Sequence, residues 1–384
     1  MRLFSLEIGR PQRYAAALLL VFAIQCLWVL HRQPLSASDY QYARCGREIW
    51  ERPSPISGYF TSCGNLHDGT FAYRLAGLPL TLQRIVAGEP TSASTWESRH
   101  VLGDVRLLLR LPFILFGVWL GGAIWWVSRR MYGNLGGFFA LALYCFSPEM
   151  IRACLRPNNE ILAAWGMYGL IYTAIGVAHS MQGPPHRWRP RIALLTLALG
   201  LTAMAHVAAA IVGFLLALAF MLYLAEGRKV KVLQVLALSS VGAVLILFAS
   251  YTFNRDAFSY VLHGAEGRMW LSLDGVRKIF SSLPSAGIAI AAATALAMYA
   301  VSRRSRYFGN TVPLLVGALL LFLMTTGIRS EPWVWGLPFV LTFTGGVFAD
   351  LLESRHARMF RWLAAAILLT QAGLSLASLP LLAQ

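Results

Sequence analysis

Residues 14–44 read YAAALLLVFAIQCLWVLHRQPLSASDYQYAR. From Tyr14 to Leu30 the run is apolar apart from Gln25, and it approaches the ~20 residues that a helix needs to cross the hydrocarbon of a bilayer. Arg2, Arg10 and Arg13 precede it, and His31-Arg32 follows. A cleaved signal peptide has the same leading charges, but its apolar core is shorter and a small-x-small site comes after it. Ser36, Ala37 and Ser38 make a poor site of that kind. The segment therefore reads as an uncleaved first span with its N-terminus inside, and Asp39 falls just beyond its outer mouth.

The rest of the chain agrees with a membrane reading. Hydrophobic residues make up 57% of the 384 and charged residues 13%, with a mean hydropathy of +0.58. A soluble domain of that length needs far more polar surface. The formal charge of +16 raises the question of nucleic acid, whose binders carry a basic patch. Here the positive residues come in small sets between apolar runs, as topology signals do, which argues against nucleic-acid binding.

Hydropathy predicts eleven spans, at 14–30, 107–128, 135–147, 160–178, 192–204, 207–224, 232–252, 285–301, 311–327, 334–349 and 363–381. Alternate connectors are basic: Arg129-Arg130, Arg187/Arg189/Arg191, Arg228/Lys229/Lys231, Arg303/Arg304/Arg306 and Arg355/Arg358/Arg361. The positive-inside rule puts these in the cytoplasm with the N-terminus, and the C-terminus outside. Connectors 31–106, 148–159, 253–284 and 328–333 then face outward. Residues 192–224 test the scheme, since 33 apolar residues make a straight helix of about 50 Å. One passage is shorter than that and two ideal ones are longer, yet both flanks are basic. The chain must go out and return, turning near Met204-Ala205-His206, so that His206 lies level with the first loop. The expectation is a single all-α integral-membrane domain over 1–384: a polytopic helical bundle in the plasma (inner) membrane, with a long outward first loop.

That loop has two helical patterns. Ser36 or Ser38 can cap one that runs through Ile49-Trp50, with Asp39 in its first turn, where a carboxylate suits the helix dipole. Pro53 and Pro55 end it. Thr70 to Val86 is the second, with Phe71, Leu75, Leu78, Leu82 and Ile85 in one stripe; such a helix lies along the membrane interface or packs on top of the bundle, and Pro79 should kink it. Cys45 and Cys63 share the loop. Disulfides persist outside the cytoplasm, so these two are the expected pair, with Cys154 as a competitor and Cys26 and Cys145 as packing residues.

No phosphate-binding loop, dinucleotide fingerprint, His-Glu-x-x-His or Cys-x-x-Cys occurs, which disfavours ATP-driven transport, redox cofactors and zinc proteolysis by those motifs. No acid sits mid-span, whereas ion-coupled transporters place ionisable groups near the midplane. The polar residues gather outside instead: Asp39, Arg106 and Arg110 at i, i+4, Glu149, Arg152, Arg156, Glu160, His206, and Arg329 with Glu331. Carboxylates and guanidiniums at a membrane surface suit a substrate with its tail in the bilayer and a phosphate at the interface. Arginine grips phosphate with its planar fork, and a carboxylate can take a proton from an acceptor hydroxyl.

A first span followed by an acid at its outer mouth (Ser38-Asp39-Tyr40-Gln41-Tyr42-Ala43-Arg44) and then a long helical loop resembles the GT-C superfamily of membrane glycosyltransferases. The likeness is closest to the protein O-mannosyltransferase branch and its bacterial relatives. Arg110-Leu111-Pro112 through Arg129-Arg130-Met131-Tyr132-Gly133 to Phe146-Ser147-Pro148-Glu149 resembles that branch's second and third spans. Glu160 falls where the family often has a second outward acid, and Arg329 to Pro338 resembles its late outer loop. The resemblance covers residues 14–180 in detail and the remainder by hydropathy. It implies a GT-C-like topology and an inverting transfer of a sugar from a polyprenyl-phosphate carrier on the outer face. Asp39 would be the catalytic base. Arg110, with Arg106, Arg329 or His206, would bind the donor phosphate. Glu160 would be a supporting acid or a ligand of a divalent metal ion. The acceptor (glycan, lipid or protein) stays open. Two departures stand out: Tyr40 follows Asp39 where the family has an Asp-Glu pair, and Ala205-His206 stands where many members carry a lysine. The alternatives are a non-catalytic GT-C-like subunit that binds lipid or a partner protein, and a lipid or solute transporter.

Overall fold

The computed structural model describes residues 9–51, 69–87, 99–225, 227–255, 258–259, 283–324 and 332–383. Within them the chain forms thirteen α-helices and no strand. They are α1 (Arg10–Arg32), α2 (Ala37–Glu51), α3 (Phe71–Ala87), α4 (Arg99–Cys145), α5 (Pro148–Leu155), α6 (Glu160–Ser180) and α7 (Pro185–Ala205). The others are α8 (Val207–Leu224), α9 (Lys229–Ser250), α10 (Leu283–Val301), α11 (Phe308–Met324), α12 (Pro332–Leu352) and α13 (Ala357–Leu382). Pro53, Pro55, Cys63, Arg329 and Glu331 lie outside the described residues.

Seven of these helices are long and apolar enough to cross a membrane, and Ser285–Val301 and Phe308–Leu323 are shorter apolar ones. Helix α4 contains two passages. Its apolar part, Val105–Cys145, is 41 residues long and folds back at Gly133 (φ 75°, ψ −175°), a backbone region that is essentially glycine's alone. Counting both arms of α4, the shorter apolar helices and α7, the eleven segments expected from hydropathy are present. The protein is a polytopic helical membrane protein.

Helix α7 explains how 192–224 makes two crossings. Its 21 residues begin at Pro185, so the Arg-rich stretch expected as a loop is already helical and brings its length to about 32 Å. The turn to α8 is the single residue His206 in extended conformation (φ −158°, ψ 115°).

Helix α12 lies at the centre and is the most buried span, packed on α4, α6, α10, α11 and α13. In lipid, helix association rests on close packing and interhelical hydrogen bonds rather than on hydrophobic burial. Accordingly α12 meets α4 through glycine: a Cβ on Gly345 would lie 2.7 Å from the Gly136 carbonyl oxygen. The carbonyls that end α4 receive side chains from two other spans. Gln25 of α1 donates to Cys145 O (3.1 Å) and Gln371 of α13 to Phe146 O (2.9 Å), which satisfies groups that no water would reach in hydrocarbon.

One end of the bundle carries the turns 129–134, 181–184, 227–228, 302–307 and 353–356, with the arginines at the start of α7 beside them; Arg228 caps α6 through Met181 O there, and Arg304 pairs with Glu353 at 2.6 Å. The other end carries α2 and α3, which cross so closely that a Cβ on Gly46 or Gly77 would collide with the facing backbone. Tyr42 stacks on Tyr73 beside this crossing (centroids 4.3 Å apart), and Glu51 takes Arg47 at 2.7 Å and Arg84 at 3.3 Å. The two placements open for α3 divide it between them. Phe71, Ala72, Tyr73, Ala76 and Leu80 pack inward, while Leu82 and Ile85 are 52% and 63% exposed. Leu75 packs against the core from a partly buried position. Pro79 sits inside α3 without ending it.

Candidate functional site

The site starts at the end of α1. Gln33-Pro34 leaves the helix in extended conformation, and Ser36 caps α2. The cap is reciprocal: Asp39 N donates to Ser36 Oγ (3.3 Å) and Ser36 N donates to Asp39 Oδ2 (2.8 Å). This is the capping-box arrangement with an aspartate in the third position, and it chooses Ser36 over Ser38. The same Oδ2 accepts Arg110 Nη2 at 2.6 Å. Arg110 comes from the first passage of α4 and also donates to Gln33 Oε1 and Pro34 O, each at 3.1 Å. Both Asp39 and Arg110 are only 2% exposed. The acid at the first span's mouth is thus locked to the second span by a charge-assisted bond in a site closed to solvent.

Arg106 lies one turn before Arg110 on α4. Its Nε and that of Arg110 are both buried with no hydrogen-bond partner among the described residues. Buried N–H groups left unbonded are costly, so each of these two would gain from an acceptor.

Glu160 opens α6, where its N–H bonds to Asn158 Oδ1 (3.2 Å). The neighbouring Asn159 accepts Ala72 N (3.3 Å) and so ties α3 to the start of α6. His206 packs its ring on Trp335 of α12 (centroids 4.8 Å apart, 65° between planes). The first loop docks on that same turn. Gly69 has φ +116°, and a Cβ there would collide with the Met204 carbonyl oxygen. Arg74 fastens α3 further along, with Nε and Nη2 both on Ser250 O (3.2 and 2.6 Å). The structure therefore brings Asp39 and Arg110 into direct contact, puts Arg106 beside them, and places Glu160 and His206 at helix starts that hold the loop. Arg329 lies outside the described residues.

No group of three or more His, Cys, Asp or Glu side chains that could hold a metal ion occurs among the described residues. Cys45 is buried and disulfide-bonded, and Cys26, Cys145 and Cys154 are buried free thiols; Cys63 lies outside the described residues.

Sequence reading missed Gln33, Pro34 O and Trp335. Gln33 and Pro34 carried no signal of their own, because they matter only once α4 stands beside the end of α1. Ser36-x-x-Asp39 did carry one, the spacing of a capping box.

No family model matches the sequence, and no curated protein does either. Solved structures do. ArnT from Cupriavidus metallidurans superposes with a TM-score of 0.62 in its apo state, at 16% identity over 98% of this chain and 74% of its own length. The same protein bound to undecaprenyl phosphate gives 0.61 at 15% identity. This chain has the GT-C fold. The oligosaccharyltransferase of Archaeoglobus fulgidus shares that fold, with a TM-score of 0.56 at 12% identity over 94% of this chain in a complex with Zn and sulfate. A second structure of it, with an inhibitory peptide and a dolichol-phosphate, gives 0.54. The chain spans about half the length of that enzyme (53% and 55% in the two structures). The GT-C resemblance noted from Asp39 and its surroundings extends in three dimensions well past residue 180.

Proposed function

We propose that this chain is a membrane glycosyltransferase that moves a sugar from a polyprenyl-phosphate carrier to an acceptor on the outer face of the membrane. Asp39 would act as the base and Arg110 and Arg106 as the phosphate grip. The orientation proposed with it puts the basic turns and the N-terminus in the cytoplasm and the C-terminus outside the plasma (inner) membrane, as the positive-inside rule requires.

The observation that carries the reading is the pair of buried, unbonded Nε donors on Arg106 and Arg110 beside a buried carboxylate. In the described state Asp39 and Arg110 neutralise each other. A donor phosphate offering oxygens to the two guanidiniums would compete for Arg110 and free the Asp39 carboxylate for an acceptor hydroxyl. The transfer is then one displacement. The acceptor oxygen bonds to the anomeric carbon, its proton passes to Asp39, and the bond to the phosphate oxygen breaks with the charge left between the arginines. Bound polyprenyl phosphates in two neighbours of the same fold support a carrier of this class. Glu160 would assist from the start of α6.

A second reading has its own support. Asp39 is at once a helix cap and half of a buried ion pair, which is all that a non-catalytic subunit with this fold would ask of it. Lipid extraction from the purified protein followed by mass spectrometry separates the two. A co-purified polyprenyl-phosphate sugar, consumed on addition of a membrane extract as acceptor source, is the expected result. Recovery of bulk phospholipid alone, together with no consumption of added undecaprenyl-phosphate hexoses, would leave the non-catalytic reading standing.

A further inference from the structure

At the basic end, far from Asp39, a groove of about 520 Å³ opens between α8 and α11. Its inner part is apolar, walled by Ala219, Phe220 and Leu315, and its mouth carries Tyr223, Arg306 and Tyr307. Tyr223 and Leu315 are exposed on the outside of the bundle, on helices that cross the membrane, so the groove faces lipid rather than water. A cavity of that size is in the range of specific small-ligand sites.

The mouth has the chemistry of a headgroup site. Arg306 donates from Nε to Tyr299 O (3.2 Å) and from Nη2 to Ala300 O, the last carbonyls of α10. Its Nη1 group makes no bond among the described residues, and the guanidinium is exposed at the groove. Arg303 stands exposed in the same turn, while Arg304 is neutralised by Glu353 at 2.6 Å. Tyr307 keeps its proton: burial, with Asp350 and Glu353 nearby, holds its phenol above the usual range. Its hydroxyl is therefore a neutral donor beside the cation. Tyrosines at the headgroup level with an apolar wall beneath are what an amphipathic lipid meets at a membrane interface. A second groove, of about 470 Å³ between α1, α4 and α13, carries Tyr14 and an exposed arginine of its own, Arg361, and so serves as a stringent control.

We infer that the α8–α11 groove binds an anionic phospholipid of the leaflet at the basic end, with an acyl chain along Ala219, Phe220 and Leu315 and the headgroup phosphate at Arg306. Basic pockets between spans are recurrent sites for acidic headgroups, and the charge complementarity here falls on one unneutralised guanidinium at the right depth. The site is independent of the glycosyltransferase reading.

The test is native mass spectrometry of delipidated full-length protein mixed with equal amounts of phosphatidylglycerol and phosphatidylcholine of the same chains. Phosphatidylglycerol should be retained in preference by about fivefold, as one interfacial cation supplies. Ala219→Trp, which fills the groove from an exposed position and leaves the α10 cap intact, should abolish the preference, and Arg306→Ala should do the same. Ala365→Trp in the control groove should leave it unchanged. Equal retention of both lipids, an undiminished preference in Ala219→Trp, or full displacement by inorganic phosphate would overturn the inference.

Discussion

Asp39→Asn exchanges one carboxylate oxygen for an amide, and the geometry around it says what that should do. Asparagine keeps a side-chain oxygen that can accept the Ser36 N–H, so the bond between residue 39 and Ser36 survives. The loss falls on Arg110, whose 2.6 Å partner becomes neutral while its guanidinium stays buried. Removing one member of a buried pair costs about 3–5 kcal/mol, because the other charge is left uncompensated. Arg110→Gln should cost a similar amount, since Asp39 keeps its bond from Ser36 N just as Arg110 keeps Gln33 Oε1 and Pro34 O in the reverse case. The double variant Asp39→Asn/Arg110→Gln removes both charges and can restore an amide hydrogen bond, so its cost should fall well below the sum of the singles. Thermal melts in detergent read this cycle. Transfer should behave differently. If Asp39 takes the acceptor's proton, consumption of undecaprenyl-phosphate hexose should drop about 100-fold or more in Asp39→Asn and stay down in the double variant, whose stability has recovered. Return of transfer along with stability in the double variant would refute the base assignment and leave Asp39 as a packing acid.

Gly77→Ala should lower stability by about 1–3 kcal/mol, the usual cost of overpacking, because its Cβ would meet the Gly46 backbone; an unchanged melt would mean that α2 and α3 do not cross so closely. Single cysteines at Gly183, Gly227 and Arg303, all in turns of the basic end, should resist impermeant thiol reagents in intact cells, and labelling of any one would reverse the proposed orientation. Ser305, in the same turn as Arg303, is buried and would give a silent result either way. Non-reducing peptide mass spectrometry should recover Cys45 joined to Cys63, a bridge across 18 residues that contributes about 3 kcal/mol on the chain-entropy model. Cys45 found with any other partner would exclude that pairing.

The sequence by itself determined where the spans lie. Backbone groups in hydrocarbon must be satisfied within each segment, so every span had to announce itself as a local apolar run, from Tyr14–Leu30 to the last. The basic turns had to stand between those runs, because charge placement is read loop by loop. The turn at His206 was legible for the same reason: 33 apolar residues between two basic flanks admit no other path. Ser36-x-x-Asp39 announced its cap, since a capping box spans only one helical turn. What the tertiary structure decided lies between segments. Asp39 and Arg110 are 71 residues apart, and nothing local marks them as partners, since any interfacial arginine could have served. Which face of α3 turns inward was decided by the Gly46–Gly77 crossing, because a period-3.6 stripe tells that a face exists and not what stands against it. The start of α7 at Pro185, the docking of Gly69 on the turn before His206, and the packing of His206 on Trp335 belong to the same class. Each depends on two backbones brought together by the whole bundle, and contact of that kind leaves no periodic trace in either strand of sequence.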